Sequence, residues 1–261
     1  MRRIGWGIGV LAVVLLIALL GLLSLRRPNS NSVSRGWELA GRLGCFSCHA
    51  PEGTGGVANP GSEEEEIPAW DGGLLMMYVE SQEEIAEWIL YGQPERLKDD
   101  HQDSESGHAG LIRMPAFQAR ISEPELNDLV ALVQAIGAYG QPAMPPAVRE
   151  GLEAARRLGC FGCHRVGGRV GTPNPGSFKG YIPPWRGEDF EDLVRSDAEL
   201  RAWILDGRIE RLESNPLARF FTGRQIIQMP AYRELLSGQE LESLLAYIRW
   251  VRLSGTDQGS R

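Results

Sequence analysis

Cysteine is scarce in this chain of 261 residues, and its scarcity excludes one class of protein. Only four cysteines occur, and all of them lie in two similar stretches, LGCFSCH at 43–49 and LGCFGCH at 158–164. No cysteine is left over for the cross-linked framework of a disulfide-rich secreted protein. The cysteines therefore form two matched pairs, each followed by a histidine.

Alternating apolar and polar residues, the pattern of a half-buried β-strand, are also lacking. Apolar residues recur instead with helical spacing, as in Ser81 to Tyr91 and Ser196 to Asp206, where a serine is followed three residues later by an acid. A content of 43% hydrophobic and 23% charged residues is typical of a globular protein and excludes a disordered chain or a polytopic membrane protein. We therefore predict an all-α fold.

Charge is absent from the 22 residues between Ile4 and Leu25. As a helix this segment would span roughly 33 Å, close to the thickness of a bilayer core. No convincing cleavage site precedes Arg26, which favours an uncleaved anchor over a removed signal peptide. We expect an N-terminal transmembrane helix within 1–25 and a single-pass cell-membrane protein. Arginines flank both ends of the segment, so charge leaves its orientation undecided.

The chain repeats itself at a shift of 115 residues without a gap. The match runs from the CxxCH stretches through NPGS, at 59–62 and 174–177, to MPAF at 114–117 and MPAY at 229–232. A register held over about a hundred residues indicates two copies of one fold, which we name the first and the second repeat. The predicted domains are an anchor at 1–25, a linker at 26–34, the first repeat at 35–140, a proline-rich linker at 141–149, the second repeat at 150–254 and a tail at 255–261.

The CxxCH spacing indicates a particular cofactor. Two cysteines three apart lie about one helical turn from each other on one face, and the histidine follows directly. This arrangement suits thioether attachment of a haem, with the histidine as an axial iron ligand. A zinc site of four thiolates is the alternative, and a thioredoxin-like pair is less consistent because no βαβ pattern surrounds the motifs. The predicted attachment residues are Cys45, Cys48, Cys160 and Cys163, and the predicted axial ligands are His49 and His164.

A second axial ligand should recur at the same offset in both repeats. Of six methionines, Met114 and Met229 do so, each 65 residues after its histidine. Each also precedes a proline, which disfavours helical backbone and holds the methionine in an extended loop. His101 and His108 are rival ligands in the first repeat, although proline and glycine stand at the corresponding positions of the second.

A backbone carbonyl near each histidine should accept the other imidazole N–H and fix the ring. Pro60 and Pro175, each 11 residues after its histidine, are the candidates, although NPGS is also simply a favourable turn. An indole N–H could in addition bind a haem propionate, although a tryptophan in a helix is more often part of the core. The candidates for that role are Trp70, Trp185, Trp88 and Trp203.

These motifs resemble those of class I c-type cytochromes, repeated in tandem. The matching residues are Cys45-Phe-Ser-Cys48-His49 with Met114, and Cys160-Phe-Gly-Cys163-His164 with Met229. The resemblance covers most of both repeats and implies two covalently attached haem c groups, each wrapped by helices, with an N-terminal helix crossing a C-terminal one. It also implies reversible one-electron transfer, and haem attachment outside the cytoplasm. Ala50 and Arg165 depart from the pattern, since many relatives have glycine there.

An iron bound by both histidine and methionine has no open position for a substrate. We therefore expect an electron carrier and not an enzyme, with a moderately high potential at both haems and with neither a small-molecule substrate nor nucleic acid as a partner. The expected partners are redox proteins of a membrane respiratory or photosynthetic complex, such as a cytochrome bc-type complex or a terminal oxidase. Two alternatives stay open: the electron-accepting subunit of a periplasmic dehydrogenase, and a dihaem peroxidase, in which one iron must open.

The two repeats differ in net charge. The first repeat has 6 Lys and Arg against 19 Asp and Glu, a net charge of −13, whereas the second has 15 against 14, a net charge of +1. The run Glu63 to Glu66 aligns with Phe178 to Tyr181. A solvated acidic surface is the simplest explanation, but a field of one sign also steers a basic redox partner, an effect that weakens with salt. We expect the first repeat to meet a cationic partner.

Overall fold

The computed structural model of the protein describes residues 13–17, 19–21, 23, 31–71, 75–98, 110–140 and 143–253. Helices make up 57% of the described residues. Within the described residues the named strands are β1 (Thr172–Pro173) and β2 (Tyr181–Ile182), which pair antiparallel with Thr172 opposite Ile182.

The helices follow the repeats. Those of the first repeat are α1 (Ser32–Leu43), α2 (Leu75–Tyr78), α3 (Gln82–Tyr91) and α4 (Glu123–Gly137). Those of the second repeat, with the linker that leads into it, are α5 (Pro146–Arg157), α6 (Arg165–Gly168), α7 (Glu188–Leu193), α8 (Asp197–Asp206), α9 (Glu210–Glu213), α10 (Pro216–Arg224) and α11 (Gly238–Leu253). Single 3-10 turns occur at Cys45–Ser47, Pro51–Gly53, Glu95–Leu97 and Cys160–Gly162.

Serine caps start the equivalent helices α3 and α8. The Ser81 hydroxyl accepts a hydrogen bond from the Glu84 backbone N–H at 3.3 Å, and Ser196 accepts from Glu199 at 3.2 Å. Each glutamate carboxylate in turn accepts a backbone N–H from just before the helix, at 2.8 Å in both repeats. The caps satisfy N–H groups that a helix start would otherwise leave without partners, so both helices begin where the sequence pattern predicts.

Glycine lets the first and last long helices of each repeat pack closely, α1 against α4 and α5 against α11. A Cβ added at Gly36 would lie 2.1 Å from the Asp128 carbonyl oxygen, and one added at Gly151 would lie 1.9 Å from that of Ser243. No side chain fits at such distances. The two glycines thus set the closest approach of both helix pairs.

The described residues group into two compact units. The larger holds the described residues of Ser30–Gly171, Pro184–Gly187 and Ser237–Arg261, and the smaller holds those of Met1–Asn29, Thr172–Pro183 and Glu188–Leu236. This division passes through the second repeat, so the domain bounds expected from the repeat stay a prediction.

Within the larger unit, the loop after the second CxxCH contacts the first repeat. The Arg165 guanidinium lies 4.7 Å from the centroid of the Trp37 ring, and its Nε lies 4.0 Å from a carboxylate oxygen of Glu52. Val166 and Val170 are buried in the same apolar cluster as the core residues of the first repeat. The residues that follow His164 therefore pack against the first repeat.

The transmembrane helix predicted within 1–25, and the single-pass membrane location that followed from it, are corrected. Among the described residues no helix is long and apolar enough to cross a membrane. A span needs about 20 consecutive apolar residues, and in this segment the structure describes helix at 13–17, 19–21 and 23. The other residues of the segment lie outside the described part.

Candidate haem sites

The two CxxCH loops have the same backbone shape. Each begins with a glycine in the left-handed region, which follows a long helix and caps a 3-10 turn. These glycines are Gly44, with φ 82°, and Gly159, with φ 72°. The His49 N–H donates to the Cys45 carbonyl at 3.0 Å, and the second loop makes the equivalent bond at 2.9 Å. All four cysteines are half-buried, and burial raises the pKa of the Cys45 thiol.

A cavity of about 410 Å³ lies in the first repeat, within the larger unit. Its walls include Cys45, Cys48, His49 and Met114, so all four residues predicted to attach and ligate the first haem face one space. The rest of the lining is mainly apolar, with Trp70 and several leucine, isoleucine and valine side chains. Cofactor pockets are commonly of this size and apolarity, with a few polar groups that fix orientation. The residues present therefore fit a haem.

The imidazole of His49 is oriented by a backbone carbonyl. Its Nδ1 lies 3.1 Å from the carbonyl oxygen of Pro68, which leaves Nε2 for a metal. Burial lowers the pKa of His49, partly offset by this carbonyl, and a neutral imidazole is the form that binds iron. The structure thus places Pro68 where the sequence suggested Pro60, whose carbonyl instead accepts the Leu111 N–H at 3.1 Å.

The second histidine lies in the equivalent loop, and its side chain is half-buried like that of His49. Burial lowers the pKa of His164 to about 4, so this imidazole is also neutral at pH 7. Its Nδ1 has no hydrogen-bond partner among the described residues. The Pro175 carbonyl accepts the Ile226 N–H at 3.1 Å, the same role that Pro60 has in the first repeat.

A tryptophan packs against each predicted histidine ligand. The ring centroids of His49 and Trp70 are 4.8 Å apart, and those of His164 and Trp185 are 5.0 Å apart. Both tryptophans are buried, and a left-handed glycine in each loop leaves room for the indole. The Trp88 indole N–H already donates to the Tyr78 carbonyl at 3.2 Å, and that of Trp203 to Leu193 at 3.3 Å, so both have backbone partners.

An asparagine holds the methionine loop of the first repeat. The buried Asn59 side chain accepts the Ile112 N–H at 2.8 Å and donates to the Ile112 carbonyl at 3.1 Å, two residues before Met114. Gly92, with φ 80°, faces the other side of the loop, where an added Cβ would lie 2.4 Å from the Met114 carbonyl oxygen. These contacts fix the backbone that carries the methionine.

In the smaller unit, Asn174 holds the loop of Met229 by the same pair of hydrogen bonds, an arrangement that we call the asparagine clamp. Asn174 accepts the Ile227 N–H at 2.9 Å and donates to the Ile227 carbonyl at 3.0 Å. A Cβ at Gly207, with φ 67°, would lie 2.3 Å from the Met229 carbonyl oxygen. Neither the asparagines nor the glycines were predicted as site residues, although each pair recurs at the shift of 115 residues that also relates the two methionines. His101 and His108, the rival ligands, lie outside the described residues.

Carboxylates surround the cavity of the first repeat. Glu63, Glu64 and Glu66 line it, and all three are exposed. Glu64 also hydrogen-bonds Tyr78, whose pKa is raised, first by burial and then by this contact. Arg113 is the basic residue of the lining. The first cavity thus opens among negative charges.

The zinc alternative finds no support in the described residues. They contain no group of three or more His, Cys, Asp or Glu side chains that could hold a metal ion, although all four cysteines are described. A structural zinc needs four such ligands together. The two CxxC pairs therefore do not form one thiolate site.

Comparison with protein-family models and with curated proteins gives no match. Among solved structures, the chain is similar to a reducing HAO-like protein complex of Kuenenia stuttgartiensis at 17% identity. The similarity covers 84% of this chain and 96% of that one, with a TM-score of 0.26. A likeness at this TM-score carries no argument about fold or function, so the candidate sites rest on their own geometry.

Proposed function

We propose that the chain is a dihaem c-type cytochrome that passes single electrons between other redox proteins. The observation that best supports this is the cavity of the first repeat, which collects two cysteines, a histidine and a methionine around one apolar space. Thioether attachment uses the two thiols, and the neutral imidazole and the thioether sulfur are both suited to iron.

A covalently held haem supplies a one-electron iron couple, and the residues of the chain bind and shield it. Cys45 and Cys48 would attach the group, and His49 and Met114 would supply the ligands of its iron. The Pro68 carbonyl orients the imidazole, and Asn59 holds the methionine loop. An iron held by both of these side chains would offer no ligand position to a substrate, which supports electron transfer over catalysis.

The second site is proposed by equivalence. Cys160, Cys163 and His164 have the loop geometry of the first site, and Met229 has the loop clamp of Met114. We assign these four residues to the second haem.

The partner of the first repeat is proposed to be a basic redox protein. Exposed glutamates around the first cavity would favour its approach at the edge of the haem. The rate of electron transfer should then fall as ionic strength rises, because salt screens exposed charges.

The direct test is haem stoichiometry after expression with a c-type haem maturation system. We expect two covalently bound haems per chain, and one in a C45A/C48A or a C160A/C163A variant. We also expect a near-infrared band from sulfur bound to iron, reduced by half in Met114→Ala and absent when Met229→Ala is added. Absence of Soret absorption would refute the proposal, and peroxide turnover with loss of one sulfur band on half reduction would favour a peroxidase.

A further inference from the structure

The two predicted haem sites differ in charge at equivalent positions. Three positions that carry Ala50, Thr54 and Asp71 in the first repeat carry Arg165, Arg169 and Arg186 in the second. The first two follow the histidine ligand by one and five residues, and the third follows the tryptophan that packs against it. The loops around the second histidine are therefore much more basic.

Arg169 is the buried member of this set. Its exposed fraction is 5%, and its guanidinium lies 5.4 Å from the centroid of the Trp250 ring. A Cβ added at Gly167 would lie 3.0 Å from Arg169 Nη1 and 2.8 Å from the Tyr247 hydroxyl oxygen, so both polar groups meet at this glycine. Arginine is not deprotonated in proteins, so the buried group keeps its positive charge.

This charge belongs to the same packed cluster as the second histidine. The Tyr247 hydroxyl donates to the Gly167 carbonyl at 3.0 Å, three residues after His164. The Tyr247 ring meets Trp185 at 5.9 Å, and Trp185 meets the His164 ring at 5.0 Å. In the first repeat, threonine and leucine stand in place of Arg169 and Tyr247, so this charged pair has no equivalent there.

The opposite charge is found at the first site, but it acts more weakly. Glu63, Glu64 and Glu66 line the first cavity and are exposed, so water and salt screen them. A buried charge acts through a lower effective dielectric, and its interaction at a given distance is several times larger. The two effects have the same direction.

We infer that the haem of the second repeat has the higher midpoint potential and that Arg169 raises it, so that an electron delivered to the first repeat moves to the second. A positive charge stabilises the reduced iron relative to the oxidised iron, and charge near a haem is one of the means by which proteins set its potential. The inference rests on the proposed dihaem function. We expect Arg169 to change the equilibrium constant for electron exchange by about tenfold, which is 59 mV for one electron.

The order of the two potentials is tested first in the complete protein. Replacing an axial methionine by histidine lowers the potential of that haem alone. In a spectroscopic redox titration, Met229→His should lower the higher of the two potentials, and Met114→His should lower the other. If Met229→His lowers the lower potential instead, the inferred order is wrong.

The role of Arg169 is tested by charge. Arg169→Gln should lower the higher midpoint potential and leave the lower one unchanged. Arg169→Lys keeps the charge and should therefore keep most of the difference between the two potentials. Arg233→Gln removes the same charge from a side chain that is 56% exposed, and both potentials should stay unchanged. A similar shift for Arg233→Gln, or none for Arg169→Gln with both haems attached, would overturn the role of Arg169.

Failure of the proposed function gives a different result. A chain that attaches no haem, or only one, shows no pair of potentials to order and refutes the dihaem proposal itself. A chain with two His/Met haems whose potentials follow the opposite order refutes the present inference alone. If Arg169→Gln loses the second haem, the methionine variants still decide the order.

Discussion

The two repeats hold the loops of their predicted methionine ligands by the same bonds but differ in the charges around the predicted sites. Asn59 and Asn174 grip the methionine loops with matching pairs of hydrogen bonds, and Trp70 and Trp185 pack alike on the histidines. The backbone that positions a ligand is thus common to both. What would differ is the electrostatic potential that the surrounding charges produce at a bound group.

The helix pairs show the same division between shared packing and different charge. Gly36 and Gly151 allow an equally close approach in both pairs. Beside them, α1 and α4 are joined by an ion pair between Arg35 and Asp128, whereas the equivalent positions of α5 and α11 hold Glu150 and Ser243 in a single hydrogen bond. Packing therefore sets the architecture, and charge can change without altering it.

The largest expected effect comes from filling the helix contacts. Gly36→Ala places a methyl group against the Asp128 carbonyl, and Gly151→Ala does the same against Ser243. We expect each to lower the free energy of unfolding by about 3 kcal/mol, because the backbones must separate. Chemical denaturation measures this.

Gly41 provides the matched control in α1, since a Cβ added there meets nothing within 4 Å. Gly41→Ala should be neutral or stabilise the protein by up to about 1 kcal/mol through helix propensity. Equal destabilisation by Gly36→Ala and Gly41→Ala would show that close packing of α1 against α4 is not the cause.

The asparagine clamps are the next test, with an effect specific to each site. Asn59→Ala leaves the Ile112 N–H and carbonyl without these partners and should cost about 2 kcal/mol. It should weaken the sulfur band of the first haem alone, and Asn174→Ala should weaken that of the second. Loss of both bands from one substitution would contradict independent clamping.

Spacing in the sequence selected four residues that the structure places in the wall of one cavity. Cys45, Cys48, His49 and Met114 were chosen by the CxxCH pattern and by recurrence at one shift, and they face the same space. The helix starts at Ser81 and Ser196 could also be predicted from the sequence, because a capping box depends on two residues three positions apart.

Contacts between distant residues could not be read in this way. The carbonyl at His49 belongs to Pro68, 19 residues along the chain, and which carbonyl meets the ring depends on the path of the whole loop. Asn59 was interpreted as a turn residue, because the local sequence does not show its contact with Ile112, 53 positions away. A turn can be predicted from neighbouring residues, whereas the asparagine clamp can be recognised only once the fold is known.

A smaller effect is expected from the ion pair that distinguishes the helix pairs. Arg35 binds Asp128 at 2.8 and 2.7 Å, but half of the Arg35 side chain is exposed, so screening limits the gain. Arg35→Leu should lower the free energy of unfolding by about 1 kcal/mol. In the second repeat, Glu150→Gln keeps an acceptor for the Ser243 hydroxyl and should change it by less than about 0.5 kcal/mol.

The smallest effect depends on pH and should appear in both repeats. The Arg211 guanidinium lowers the pKa of Glu199 from 4.5 to about 2, and Arg96 lowers the pKa of Glu84 in the same way. A carboxyl whose pKa is lower in the folded state stabilises the protein above its unfolded pKa, and that contribution disappears as pH falls through the folded pKa. For Glu199 the loss runs from about pH 4.5 down to about pH 2.

Glu199→Gln should therefore be less stable than the unmodified protein at pH 7, by about 1 kcal/mol or less, because both side chains of the pair are partly exposed to solvent. The difference should be largely lost by pH 2 and vanish below it, where the carboxyl is protonated in both the folded and the unfolded state. Denaturation midpoints across this range, with Glu84→Gln as the matched variant in the first repeat, measure it. A difference that persists unchanged at pH 2 would show that Glu199 acts through packing and not through its charge.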